Sequence, residues 1–564
     1  MSSIDWIVLS TTLLSIVLYG IWKSYGTKNI SGFLLADKQL PWYHVGLSVM
    51  ATQASAITFL SAPGQAYTDG MRFIQFYFGL PLAMVVLCIT FVPAFQKLNV
   101  YTAYEYLEKR FDNKTRSLTA FLFLLQRGLS TGITIYAPAI ILSTILNIDI
   151  TYTILFNGLI VILYTVYGGT KAVSYTQLFQ MAIIFSGLFL AAYMVVHLLP
   201  ANVSFIDALH IAGKMNKLNA IDTKFDLNNR YNIWSGIIGG FFLQLSYFGT
   251  DQSQVGRYLT GRSITESRLG LIMNGLIKIP MQFLILLIGT LVFTFYQFYQ
   301  PPVFFNKIEV NRIENSTYKN EYHTLENKYK VACVEKKEKV FDLVNALHTH
   351  NEQAINKVRT ELQQSDAQTT SIRKEVTQLM EKNNSKADTN DTNYIFLGFV
   401  TQQLPVGIVG LLIAIIFLAA MGSTASGLNS LASTTVVDFY KRIVNKQASD
   451  NRYLSASRWA TVAWGCFCIC VAFYASRLGN LIEAVNILGS LFYGTILGIF
   501  LVAFYMKKIN GTAVFYAALV AEIIVVIVWL NNLMVFLWLN VVGCLLVMSI
   551  AWILQKLVFK TVAK

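Results

Sequence analysis

The sequence predicts an all-α polytopic membrane protein with about 13 transmembrane helices. Three observations carry that prediction. First, 55% of the 564 residues are hydrophobic and only 13% are charged, with mean hydropathy +0.51, whereas soluble domains carry roughly 25% charged residues. Second, apolar stretches close to the roughly 20 residues that cross a bilayer recur along the chain. Third, Lys and Arg alternate between the loops that join them, as positive-inside topology requires. A net charge of +14 is therefore explained by topology rather than by nucleic acid, and no nucleic-acid partner is expected.

The spans fall at roughly 5–22, 43–68, 73–96, 117–145, 151–168, 174–199, 233–255, 269–299, 395–436, 458–476, 480–505, 512–530 and 533–555. The first run has no basic leader and no small-residue cleavage pattern, so it reads as a retained helix. With the N-terminus outside, inner loops and tail hold 22 Lys or Arg, among them Lys109, Arg110, Lys114, Arg116, Arg257, Arg262, Arg268, Lys441, Arg442, Lys507 and Lys508. The short outer loops hold six, namely Arg72, Lys214, Lys217, Lys224, Arg230 and Arg477. The expected placement is a plasma or inner membrane, N-terminus out and C-terminus in. Six cysteines, at 88, 333, 466, 468, 470 and 544, show no metal-type spacing.

The chain divides into helices up to residue 300, a polar insert over 301–395, and further helices with a short tail over 396–564. The insert carries 14 basic and 14 acidic residues. Val340, Leu343, Val344 and Leu347, then Ile355, Val358 and Leu362, recur at helical spacing, which predicts an extracytoplasmic helical hairpin packed on itself. It is either a docking element for an external protein partner or an ornament of this lineage. Asn383 to Thr392 reads as a flexible tether.

Span two carries Ala51-Thr52-Gln53-Ala54-Ser55-Ala56-Ile57-Thr58, then Pro63 and Gly64, which invites a broken helix. Freed carbonyls in a membrane must be satisfied by protein, water or an ion, and hard oxygen ligands suit a small alkali cation. A second such cluster is Ala419-Ala420-Met421-Gly422-Ser423-Thr424-Ala425-Ser426, with Asn429 and Ser430. Either cluster alone could be a small-residue packing face.

Lys278 lies in mid-span, where a charge is costly and marks a candidate functional site. Arg127, nearer the inner end of its span, reads as snorkelling or structurally paired. Span seven, with Gln244, Ser246, Tyr247, Gly249, Thr250, Asp251 and Gln252, resembles a second helix break. Breaks in spans two and seven, five spans apart, are what a five-plus-five inverted repeat requires. The first repeat would cover about 43–199 and the second begin near 233, leaving one extra N-terminal and two extra C-terminal helices.

At these residues the chain resembles the solute:sodium symporter family. The likeness runs through Gly32-Phe33 to Pro41-Trp42, Ser55-Ala56 to Gly64 with Ala66-Tyr67, Tyr164 to Val173, Arg257-Tyr258-Leu259, and Leu428-Asn429-Ser430 leading to Asp438-Phe439-Tyr440-Lys441-Arg442. The resemblance implies the inverted-repeat fold of the amino-acid transporter LeuT and transport of a small solute coupled to sodium. It places sodium at Ala51, Ala54, Ala419, Gly422 and Ser423. Gly422 stands where serine is common, so one hydroxyl is missing, and Thr424 is the candidate to compensate. Where some relatives use an aspartate for a second sodium, this chain has Gln177 after Thr176, so one sodium per cycle is expected, with Ser426 left without a charged partner.

The resemblance to sugar-transporting relatives further implies a pocket of Thr58, Tyr77, Gln244, Tyr247, Lys278 and Asn486, with Tyr247 as the inner gate. Those residue types depart from the sugar pattern, and a small anion fits as well as a neutral sugar. The expected function is therefore sodium-coupled import of a small polar or anionic organic solute by alternating access. Alternatives are a solute sensor built on a transporter-like bundle, sodium-coupled inorganic anion uptake, and a channel. The chain reads as no enzyme, and an ATP-driven pump lacks its Gly-x-x-x-x-Gly-Lys loop.

Overall fold

The computed structural model describes residues 1–24, 32, 35–98, 100–385 and 387–559. Phe33 of the resemblance and the final tail lysine lie outside them. The spans open with α1 (Ser3–Ser24). The second span is two helices, α2 (Trp42–Gln53) and α3 (Ala56–Asp69). They are separated where Ala54 (ψ 79°) and Ser55 (ψ 172°) leave helical geometry. The third span follows as helical turns over Gly70–Tyr77, Leu80–Val86, Leu87–Phe91 and Val92–Lys97. Beyond the short helix Tyr104–Arg110 comes α4 (Asn113–Leu146), started by Asp112, whose carboxylate accepts from Thr115 N at 2.8 Å.

Helical backbone is continuous through α5 (Ile150–His197), yet Tyr164 Oη and Thr176 Oγ1 lie 2.9 Å apart. Twelve residues of straight helix would separate them by about 18 Å, so the chain doubles back between them. Spans five and six are therefore distinct. Span seven is α6 (Gly240–Thr250) and α7 (Gln252–Tyr258), broken at Asp251, whose ψ is 117°. The break falls at Asp251 and not at Gly249, which instead lets the helix approach Leu87 and Phe91. The eighth span is α8 (Ile264–Phe298).

The insert forms the hairpin α9 (Lys319–His348) and α10 (Glu352–Asn383). Val340, Leu343, Val344, Ile355 and Leu362 are buried as their spacing requires, and Leu347 and Val358 pack at the edge of the same core. That core is shared with the bundle, to which the hairpin is tied by Phe298 against Phe341 and by His348 to Asp207 at 3.2 Å. The segment read as a tether is pinned: Asp391 accepts from Arg373 at 2.7 Å and from Phe305 N at 2.8 Å. Burial and the neighbouring Glu309 raise the Asp388 carboxyl to about 7.

The sequence reads 395–436 as one span, but it is split into α11 (Thr392–Gln403) and α12 (Ile408–Thr434). Pro405 lies between them, and Gly407 adopts φ +89°, a region in which glycine is unstrained. The bundle closes with α13 (Asp450–Ala472), α14 (Leu481–Tyr505), α15 (Gly511–Leu530) and α16 (Phe536–Leu557). Ten helices are long and apolar enough to cross a membrane among the described residues. The spans missing from that ten are the two broken ones and Ile150–Val166, which is shorter.

Close backbone approach fixes α3 between its neighbours. A Cβ on Gly64 would lie 1.9 Å from Thr392 O of α11, and one on Gly289 of α8 would lie 2.1 Å from Pro63 O. The N-terminus joins the end of the bundle that carries α11, because Asp5 Oδ1 accepts from Gly407 N at 2.6 Å and Gly410 N at 3.2 Å. At the opposite end Arg110 donates to Lys507 O at 2.8 Å. There the fully buried Arg116 donates from Nε to Asp438 Oδ1 at 2.7 Å, and Thr102 donates to the same oxygen at 2.9 Å.

Candidate sodium and solute site

The first break releases main-chain carbonyls. In an uninterrupted helix Ser55 N would donate to Ala51 O, Ala56 N to Thr52 O and Thr58 N to Ala54 O. Instead Ser55 N donates to Gln53 O and Thr58 N to Ser55 O, each at 3.0 Å, and Ala56 begins the next helix. Ala51 and Ala54 are thus among the residues whose helical acceptors go unused, with Thr52, and all three are buried. Unlike α2, α12 runs unbroken past them. Its Ser423 Oγ donates to Ala419 O at 2.8 Å and approaches Ala420 O at 3.2 Å, while Thr424 is buried beside it. The glycine at 422 has a local cause, because a Cβ there would sit 2.6 Å from Gln180 Oε1.

Gln177 occupies the interface between α2, α5 and α12. Its Nε2 donates to Thr52 Oγ1 at 3.1 Å, Ser426 Oγ at 3.2 Å and Gly422 O at 3.4 Å. Its Oε1 accepts from Ser48 Oγ at 2.6 Å. The side-chain amide, fully buried, thus lies among the oxygens of three neighbours. Ser426 has neutral partners in place of a charged one, since it also donates to Gly422 O at 2.8 Å and lies 3.2 Å from Thr52 Oγ1.

Between the two breaks lies a cavity of about 100 Å3. Thr58, Tyr77, Gln244, Tyr247 and Asn486 all line it, joined by Gln53, Arg127 and Tyr493. Lys278 does not line it. Its ammonium lies behind the wall, 5.8 Å from the centre of the Tyr77 ring, fully buried and without a hydrogen-bond partner.

Arg127 is the cation that lines this cavity. Of the two readings, snorkelling or structural pairing, the structure shows pairing, because the side chain is buried and turned to Asp251, and it adds that the paired residue also lines the cavity. One guanidinium nitrogen lies 3.6 Å from Asp251 Oδ2, another donates to Ser253 Oγ, and the group sits 5.9 Å from the Tyr247 ring centre. Asp251 is held in turn by Tyr493 Oη at 2.8 Å and by Ser253 N at 2.8 Å. A carboxylate therefore stands near the pocket, paired to Arg127. Tyr247 Oη accepts from Gln254 Nε2 at 2.7 Å, which anchors the expected gate to the second half of the broken helix.

Sequence reasoning missed Tyr493 altogether. The available signal for Arg127 was its charge in mid-span, the same signal that singled out Lys278. Three buried polar atoms of the lining have no protein partner: Arg127 Nε, Gln244 Nε2 and Gln53 Oε1. Such atoms are costly to leave unpaired, so the cavity is equipped to bind a polar solute.

The pattern of the sodium:solute symporter family matches residues 33–311 and 378–521. The chain belongs to this family. It is 33% identical over 275 residues to the human sodium/iodide cotransporter, an alignment covering 48% of this chain and 42% of that one. With the sodium/sialic acid symporter of Aliivibrio fischeri it shares 24% identity, over 98% of this chain and 92% of the other. With the sodium/glucose cotransporter of Vibrio parahaemolyticus it shares 25%, covering 90% and 82%. The chain thus spans less than half the length of some curated relatives it matches and nearly all of others.

A solved Na+-coupled sialic acid symporter in a substrate-bound, outward-open state superposes with a TM-score of 0.75 at 23% identity, covering 99% of this chain and 98% of that one. The fold is that of a sodium-coupled symporter. Family and fold together make this a multi-pass membrane protein of the sodium:solute symporter family.

Proposed function

We propose that this symporter imports a small organic monoanion together with one sodium ion by alternating access. The observation that carries the choice of solute is the set of unspent polar atoms on the cavity lining, above all Arg127 Nε and Gln244 Nε2. Two unspent donors lining one cavity, one of them cationic, match a carboxylate. Gln53 Oε1 and the Asn486 amide would serve hydroxyl or amide groups on the same solute. Sodium would rest on the carbonyls of Ala51, Ala54, Ala419 and Gly422 and on Ser423 Oγ, drawing α2 and α3 against α12. Tyr247 would close the pocket from the inner side, and Lys278, one ring away, would keep the potential positive.

A second reading, inorganic anion uptake, is favoured by the likeness to the iodide cotransporter. The insert and the N-terminus belong on the outside and residues 507–510 on the inside, in a plasma or inner membrane, with the hairpin as the candidate docking face for an external partner. Nothing in this reading calls for catalysis.

The test is uptake into proteoliposomes of labelled carboxylates, sugars and iodide, with sodium or with N-methylglucamine outside. Sodium-driven accumulation of a carboxylate, lost at least tenfold in Arg127→Gln, is the expected result. Accumulation of neutral sugars unaffected by that substitution would overturn the anion reading. Binding with no accumulation of anything would instead favour a sensor.

A further inference from the structure

A second cavity, of about 220 Å3, lies where the outer ends of α3 and α8 meet the hairpin. Its bundle wall includes Tyr67, Lys217, Phe293, Tyr296 and Gln297, and its other wall comes from α9 and α10. Those hairpin residues, from Tyr329 to Arg373, all fall in the stretch 312–377 that the family pattern leaves unmatched. The cavity is therefore a property of this chain and its insert.

Three cations line it, against one carboxylate, Asp366. Two of the three are already paired. Lys336 Nζ lies 2.6 Å from Asp366 Oδ1, and Arg373 donates to both oxygens of Asp391 at 2.8 and 2.7 Å. Lys217 is different: no carboxylate lies within 4 Å of it among the described residues. Its ammonium donates to Thr68 O and sits 4.6 Å from the centre of the Phe293 ring, with protons to spare. Asp366 and, less strongly, Asp69 act on it only at longer range.

Two further polar atoms of the lining are unspent. Tyr296 Oη and Gln297 Oε1 have no partner, and their residues are 5% and 6% exposed. Leaving such groups buried and unpaired is unfavourable, so a ligand or water must complete them. The aromatic faces of Tyr67, Phe293 and Tyr329 supply an apolar wall. We propose that this cavity is a second ligand site, separate from the transport pocket, for a small carboxylate with a planar apolar body. Its carboxylate would take the Lys217 ammonium and the Tyr296 hydroxyl, while a polar hydrogen on the body would reach Gln297 Oε1.

This proposal does not rest on the reading of the transported solute, and its test keeps the two apart. The full chain in lipid nanodiscs, carrying Arg127→Gln to silence the transport pocket, is titrated with 4-fluorobenzoate and followed by fluorine NMR. Saturable binding below 10 mM is expected. It should weaken at least tenfold in Lys217→Gln and stay within threefold in Lys217→Arg, which also controls for folding. Tyr296→Phe should weaken it severalfold, and the neutral 4-fluorobenzyl alcohol should bind at least tenfold less well. No saturable binding, or binding that Lys217→Gln leaves unchanged, overturns the proposal.

Discussion

Replacing Gln177 by Asp offers the sharpest probe of how many sodium ions this protein carries. The Gln177 amide nitrogen reaches Thr52 Oγ1, Ser426 Oγ and Gly422 O at 3.1 to 3.4 Å, so a neutral N–H group does the work a cation would do among those oxygens. In Gln177→Asp the donors vanish and a carboxylate takes their place in a fully buried position, held only by hydroxyls such as Ser48. An uncompensated buried charge costs several kcal/mol. Sodium binding would relieve it, using the same oxygens.

The consequence can be read as stability. Each ion bound to the folded state alone adds about 1.4 kcal/mol per tenfold rise in its concentration once above its dissociation constant. The wild type should follow that slope for one sodium, and Gln177→Asp about 2.8 kcal/mol per decade for two. The assay is thermal unfolding in detergent from 1 to 300 mM sodium, at constant ionic strength with N-methylglucamine. Uptake should show its Hill coefficient rising from about 1 to above 1.5. A folded variant with the wild-type slope, or a wild type that already shows the steeper one, would refute the argument that the amide substitutes for an ion.

Four further outcomes are expected. Ser423→Ala should raise the sodium concentration for half-maximal uptake about tenfold while leaving the protein in the membrane, measured by uptake and surface labelling. Tyr247→Ala should speed solute exchange across loaded vesicles more than it changes sodium affinity; unchanged exchange would count against the gate. Asp438→Asn leaves the buried Arg116 without its fully buried anion, with only the part-exposed Glu108 remaining, and should lower stability by about 3 kcal/mol, read by chemical unfolding. Finally, the Asp388 carboxyl holds its proton up to about pH 7 in the folded state, against 3.8 for an unperturbed aspartate. The folded state thus binds the extra proton between those values, and stability should fall as pH rises through that window. Asp388→Asn should flatten this dependence, and an equally steep profile in the variant would exclude Asp388 as its source.

Much of this protein is determined by sequence alone, because the bilayer imposes length and polarity on each span separately. A run such as 269–299 declares itself, and so do the residues that cannot continue a helix in mid-membrane. The break beside Ala51 and Ala54 was legible, and it appears in the diverted amides of Ser55 and Thr58. The hairpin was legible too, since Val340, Leu343 and Val344 share one helical face.

What local pattern could not determine is which of two mid-span cations enters the cavity. Lys278 and Arg127 present the same signal along the chain. Only the tertiary fold brings the Arg127 side chain of α4 to Asp251 and the pocket, while the ring of Tyr77 stands between Lys278 and it. The second cavity was equally invisible, because its walls come from residues as far apart as Tyr67 and Arg373. Periodicity reports how one segment meets its surroundings, whereas a binding site is set by which segments meet each other.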